Sequence, residues 1–261
     1  MIGLSCLIFF LYGCKGQNKE NNMVFIPEGS AVIGTDEEEL PDYIQEAEGR
    51  QRITDKDDFP ARKIHLKGFY IDKYEIRNSE YKLFCEKTGH PEPASWEDRI
   101  FLEGQEDHPV SNITWHSADR YCKWLGKRLP TEEEWEKAAR GPAGNLFPWG
   151  NEFDSNKANL SSGKLLSVGM KQEDKSHYGV YDMEGNVMEW TSSWYGPYPG
   201  SKYKSDNMGK KHKVIRGGEG LSKGHYTLIG ITLRSYTRLH TDPSGKGLDL
   251  GFRCVKDTGK G

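Results

Sequence analysis

The 261-residue chain has no apolar run approaching the roughly 20 residues that a membrane-spanning helix needs. Its hydrophobic share of 35% also excludes a polytopic membrane protein. A basic surplus is missing: 36 Lys and Arg stand against 39 Asp and Glu, a formal charge of −3. That near-balance argues against nucleic acid as a partner, because a phosphate-tracking surface carries a basic excess or stripe. No internal repeat is visible. Cysteine is scarce, five in all, and none lies between Cys122 and Cys254.

What is present points to a loop-rich exported domain. The 30 Gly and 12 Pro punctuate the chain too often for a helical bundle. Residues 1–13 are almost wholly apolar, too short to span a bilayer but suited to the hydrophobic region of a secretory signal. Leu11-Tyr12-Gly13-Cys14 resembles the lipobox of bacterial lipoproteins, although no Lys or Arg precedes the apolar run. The expectation is a signal peptide over 1–13, lipidation at Cys14 and a polar tether over 14–22. One large domain over 23–257 would then be held at the bacterial cell envelope by its lipid, periplasmic or surface-exposed.

Export places the domain in an oxidising compartment, where Cys85, Cys122 and Cys254 should supply one disulfide and one odd thiol. Cys85 lies in a helical stretch over 80–88 and reads as a buried, inert thiol. Residues 23–34 read as two short strands around Pro27-Glu28-Gly29, a hairpin signal. Residues 35–62 are acidic and read as a solvated insertion, and 61–74 alternates like strands.

Two helices are well punctuated. Ala118, Tyr121, Cys122 and Leu125 form one apolar stripe, with Gly126 placed for a left-handed C-terminal cap. Thr131-Glu132-Glu133-Glu134 is a capping box; Trp135, Ala138 and Ala139 form the inward face of the helix it opens, and Gly141-Pro142 stops it.

Five ordered blocks then resemble the formylglycine-generating enzyme family, also called sulfatase-modifying factors. They are His108–Trp115, Ala118–Gly141, Phe147–Asn151, Tyr178–Thr191, and the closing pair Arg216–Gly218 with Gly251–Cys254. With Val24–Gly29 they span nearly all of 23–257. The resemblance implies an irregular, loop-rich α+β domain with a C-type-lectin-like core, and a Cys122–Cys254 disulfide.

Members that convert a substrate cysteine to formylglycine bind copper through two cysteines placed shortly after the Arg-Gly-Gly block. Soft thiolate selects Cu(I). Here those positions fall near Ser222 and within 227–230, and no register supplies a cysteine. A hydroxyl is a hard, weakly acidic ligand and does not replace a thiolate. Copper is therefore not expected, nor is cysteine oxidation by that route. An iron centre of two His and one carboxylate would have to use His225, His240 and Asp242, with His212 as another upstream donor.

The resemblance also implies a calcium loop, with Asp182 and Glu189 binding through side chains and Gly185 and Val187 through carbonyls. It places Trp190, Arg216, Glu219, Ser222, Arg234 and Arg238 around the substrate cleft. Arg234 and Arg238 have two readings, internal ion pairs or a grip on a carboxylate or peptide backbone. The lectin sugar triplets Glu-Pro-Asn and Gln-Pro-Asp are absent. The functional expectation is a binding or accessory protein with a protein or peptide ligand; a divergent metal-dependent oxidoreductase is the alternative.

Overall fold

The structure, a computed structural model, describes residues 22–36, 56–96, 101–160, 162–218, 220–221 and 234–259. The signal and tether expectations up to residue 21, with Cys14, lie outside the described residues, as do Glu219, Ser222 and His225.

Nine strands and three helices carry the described chain. Strands β1 (Met23–Ile26), β2 (Gly29–Ile33), β3 (Arg62–Leu66) and β4 (Phe69–Asp72) come first. Helices α1 (Asn78–Thr88), α2 (Trp115–Trp124) and α3 (Glu132–Arg140) follow. The chain ends with β5 (Met188–Trp194), β6 (Lys213–Arg216), β7 (Leu239–Thr241), β8 (Leu250–Gly251) and β9 (Val255–Asp257). They form three small sheets in the orders β1-β4-β9, β2-β3 and β7-β6-β5-β8. Between α3 and β5 there is no regular element among the described residues, only turns and isolated bridges.

The expected hairpin over 23–34 does not form. β1 pairs with β4 and β2 with β3, both antiparallel, so the two runs enter different sheets. The bend between them is held from outside: Lys137 of α3 donates to the carbonyls of Pro27 (2.7 Å) and Gly29 (3.1 Å). A second correction concerns the acidic stretch, whose C-terminal end is docked rather than solvated. Asp57 and Asp58 are buried, and the Tyr195 hydroxyl donates to Asp57 at 2.7 Å.

The helices follow their punctuation. Thr114 caps α2 by accepting from the Ser117 N–H, and Gly126 takes the left-handed conformation just past its end. In α3 the Thr131 hydroxyl accepts from the Glu134 N–H while Glu134 accepts from the Thr131 N–H. This satisfies two donors that the helix itself cannot use. Trp135, Ala138 and Ala139 are wholly buried against Ile26, Ile71, Met183 and Val255.

A second core joins Tyr81, Phe84, Tyr121, Trp190 and Phe252, with the Cys122–Cys254 disulfide at its centre. That bond closes a separation of 132 residues, for which loop-closure entropy gives about 5 kcal/mol. Cys85 is the unpaired thiol, buried on α1, and burial pushes it up to about 11. It is inert at neutral pH.

Candidate functional site around the double-glycine turn

Strands β5 and β6 pair with Glu189 opposite Arg216 and Trp190 opposite Ile215. This register brings the loop before β5 against the turn after β6. Gly217 sits at φ +83°, a conformation that disfavours side chains, and a Cβ on Gly218 would collide with the Glu184 carbonyl. The Gly220 N–H then donates to the Asn186 carbonyl at 2.9 Å. The Arg234 guanidinium lies 4.8 Å over the Phe147 ring. Phe147 stacks in turn on half-buried Trp149, 5.2 Å between ring centres.

Packed behind the turn lies a cluster of buried carboxyls: Glu75, Asp174, Asp182, Glu184 and Glu189. Burial pushes Glu184 up to about 7, opposed by the Ser235 hydroxyl (2.8 Å) and the Arg234 charge. Burial likewise raises Asp182 to about 6, opposed by the Gly169 N–H and Arg253. Glu75 and Asp174 are raised well above the usual range, by burial first and then by neighbouring carboxylates. Asn186 ties the loop together, accepting from Asn159 and the Leu166 N–H and donating to Glu75.

The calcium ligands implied by resemblance do not fit this arrangement. Glu189 is fully buried, and it accepts from Arg253 Nε (2.9 and 2.7 Å), Arg253 Nη2 (2.6 Å) and Trp135 Nε1 (2.9 Å). Three N–H donors thus occupy the carboxylate, and the Arg253 charge beside it repels a further cation. Asp182 accepts from the Gly169 N–H through one of its two oxygens. Arg253 is the cation at this place. Among the described residues no group of three or more His, Cys, Asp or Glu is arranged to hold a metal ion.

Three groove candidates are internal. Trp190 is wholly buried and donates to the Ile113 carbonyl at 2.7 Å, because its position on β5 faces the aromatic core. Arg216 is also wholly buried; its Nη2 donates to Glu136 (2.8 Å), Glu132 (3.1 Å) and the Tyr198 hydroxyl (3.2 Å). Arg238 grips Glu132 through Nε (2.8 Å) and Nη2 (3.0 Å), which is the internal ion-pair reading. Guanidinium groups spent on internal carboxylates do not grip an outside ligand. Arg234 is buried as well, at 8% exposure, over Phe147 and with its charge acting on Glu184.

Of the iron candidates, His225 lies outside the described residues. His240 meets His212, while Asp242 accepts the Ser244 N–H at 2.7 Å in a local turn.

Sequence reasoning missed the acidic partners Glu132, Glu136 and Glu184 and the Phe147–Trp149 stack. All five sit inside the blocks that carry the resemblance. A buried Arg demands a carboxylate, so Glu132 and Glu136, four apart on a helix, were the available signal.

Residues 11–258 match the family described as "Sulfatase-modifying factor enzyme 1-like domain". The mouse protein named "Inactive C-alpha-formylglycine-generating enzyme 2" is 30% identical over 97% of this chain and 93% of its own length. The mouse protein named "Formylglycine-generating enzyme" is also 30% identical, over 90% of this chain and 75% of its own. Among solved structures, PvdO from Pseudomonas aeruginosa matches with a TM-score of 0.63 and 25% identity, over 90% of this chain and 94% of that one. Relatives named as active and as inactive match equally well, so activity has to be read from this chain's own residues. By sequence and by its irregular α+β fold, the chain belongs to the formylglycine-generating enzyme, or sulfatase-modifying factor, family.

Proposed function

We propose that this chain is a lipid-anchored envelope protein whose family domain binds a protein or peptide and does not oxidise cysteine through copper. One observation carries the reading: no cysteine exists between Cys122 and Cys254, so the positions after Arg216-Gly217-Gly218 hold no thiolate pair. The other body cysteines do not substitute. Cys122 and Cys254 are joined, and Cys85 is buried in the aromatic core with its thiol proton retained.

The disulfide accords with an oxidising compartment, and the lipobox-like Leu11–Cys14 supports the anchor. Binding would use the surface beside the double-glycine turn. The half-buried Trp149 offers aromatic surface there, backed by the buried Phe147, and the Arg234 guanidinium over Phe147 adds positive charge.

Titration of a synthetic peptide library in copper-free buffer, followed by tryptophan fluorescence, tests the reading. Binding should occur in the native protein and weaken in Trp149→Ala and Arg234→Met. Metabolic labelling with palmitate should mark the native chain and not Cys14→Ser. Peptide binding untouched by both substitutions, or a Cys14→Ser chain that still takes up label, would contradict it.

A further inference from the structure

His212 and His240 take no part in the site described above. His212 stands immediately before β6 and His240 on β7, and their Nδ1 atoms are 2.9 Å apart. We propose that these two imidazoles are the protein ligands of a site for a divalent transition ion of the zinc class, its other coordination positions left to water or to a donor from a partner.

The separation is the first argument. With metal–nitrogen bonds of about 2.0–2.1 Å, two ligands at a right angle stand about 2.9 Å apart, and at a tetrahedral angle about 3.3 Å. The pair is already at the first distance and needs small ring rotations to reach the second. Without an ion, one Nδ1 has to donate a proton to the other. A metal takes the place of that shared proton, and imidazole is a preferred ligand for zinc, copper and nickel.

Placement is the second. The ribbon register pairs Val214 with His240 and Lys213 with Thr241, so strand alternation puts His212 and His240 diagonally on one face. The His240 ring stacks on Tyr195 at 3.8 Å, and the Tyr195 hydroxyl is fixed by Asp57. The His212 carbonyl accepts the Tyr195 N–H at 2.8 Å, so the same tyrosine steadies both ligands. Outer contacts of this kind orient imidazoles for metal binding. Both histidines are half-buried, within reach of an ion from solvent.

Of the charges flanking the pair, exposed Lys211 turns its ammonium to the Asp206 carbonyl. Arg238, two residues before His240, is neutralised by two hydrogen bonds to Glu132. Lys213 points to the other face, where its ammonium lies between the Trp115 and Trp194 rings at 4.2 and 3.7 Å.

The test is calorimetric titration of zinc chloride alone into chelator-treated full-length protein. One zinc per chain should bind, and His212→Ala or His240→Ala should each weaken it by about tenfold or more. His65→Ala, at an exposed histidine paired with Glu28, should leave it unchanged. A large excess of calcium should not compete, since hard oxygen ligands are absent from the pair. Should the alanine variants not fold, nitrogen-15 spectra of the native protein decide: zinc should move the Nδ1 signals of these two rings. No zinc uptake, binding indifferent to both substitutions, or unmoved ring signals would each overturn the proposal.

Discussion

Arg253→Met removes the guanidinium that pairs with Glu189 in the buried acidic loop. Arg253 donates to both oxygens of Glu189 and also to the carbonyls of Tyr181 (2.8 Å), Asp72 (3.2 Å) and Asp182 (3.3 Å). Methionine fills much of the same volume but leaves Glu189 with the Trp135 indole as its only donor among the described residues, beside raised Glu75 and Asp182. Breaking a buried pair from one side costs about 3–5 kcal/mol. For a domain of this size that lowers the melting temperature by roughly 6–20 °C. Adding Glu189→Gln should restore more than half of the loss, because removing both charges is far cheaper than stranding one. Calcium makes the comparison sharper. The chelator-treated native protein should melt at the same temperature with or without millimolar calcium, whereas Arg253→Met, with its carboxylates exposed to any cation that enters, should be stabilised by the ion. Thermal unfolding by circular dichroism reads all of these. A native protein stabilised by calcium, or an Arg253→Met chain as stable as the parent, would refute the assignment of Arg253 as resident cation.

Two further outcomes follow from the same residues. Glu184 is raised from 4.5 to about 7, so between those values the folded chain holds a proton that the unfolded chain has released. Stability therefore falls as pH rises through that window, by about 3 kcal/mol from this group. Asp182, raised to about 6, adds a loss of the same sign at somewhat lower pH. Denaturant unfolding at pH 5 to 8 should give a shallower decline in Glu184→Gln than in the parent; parallel curves would reject the assignment. Replacing both Cys122 and Cys254 by Ser should cost about 2–5 kcal/mol in urea unfolding, and unchanged stability would show that the cross-link is energetically idle.

Local elements were legible where one residue's chemistry sufficed. Thr131 with Glu134, and Gly126 after Leu125, fix helix ends through hydrogen bonds a few residues long, and the structure shows both. Strand partnership was not legible in 23–34, since Pro27-Glu28-Gly29 reads equally as a turn or a bend. A lysine more than a hundred residues later decides between them. The candidate arginines were legible by type but not by partner. Arg216 and Arg238 look like ligand-gripping guanidinium groups until Glu132 and Glu136 are placed across from them. The calcium loop has the same lesson in reverse. Glu189 is an apt oxygen donor by type, and only the long-range approach of Arg253 shows that its charge is already paired. The His212–His240 pair depends on strand register, which spacing in the sequence does not reveal.

The central claim concerns a reaction that this chain should not perform. The purified protein, supplied with Cu(I) and oxygen, is incubated with a peptide carrying one reactive cysteine, and the products are weighed by mass spectrometry. The account predicts no peptide in which the cysteine has become an aldehyde, at a level set by a protein-free control. Enzyme-dependent appearance of that aldehyde would contradict it.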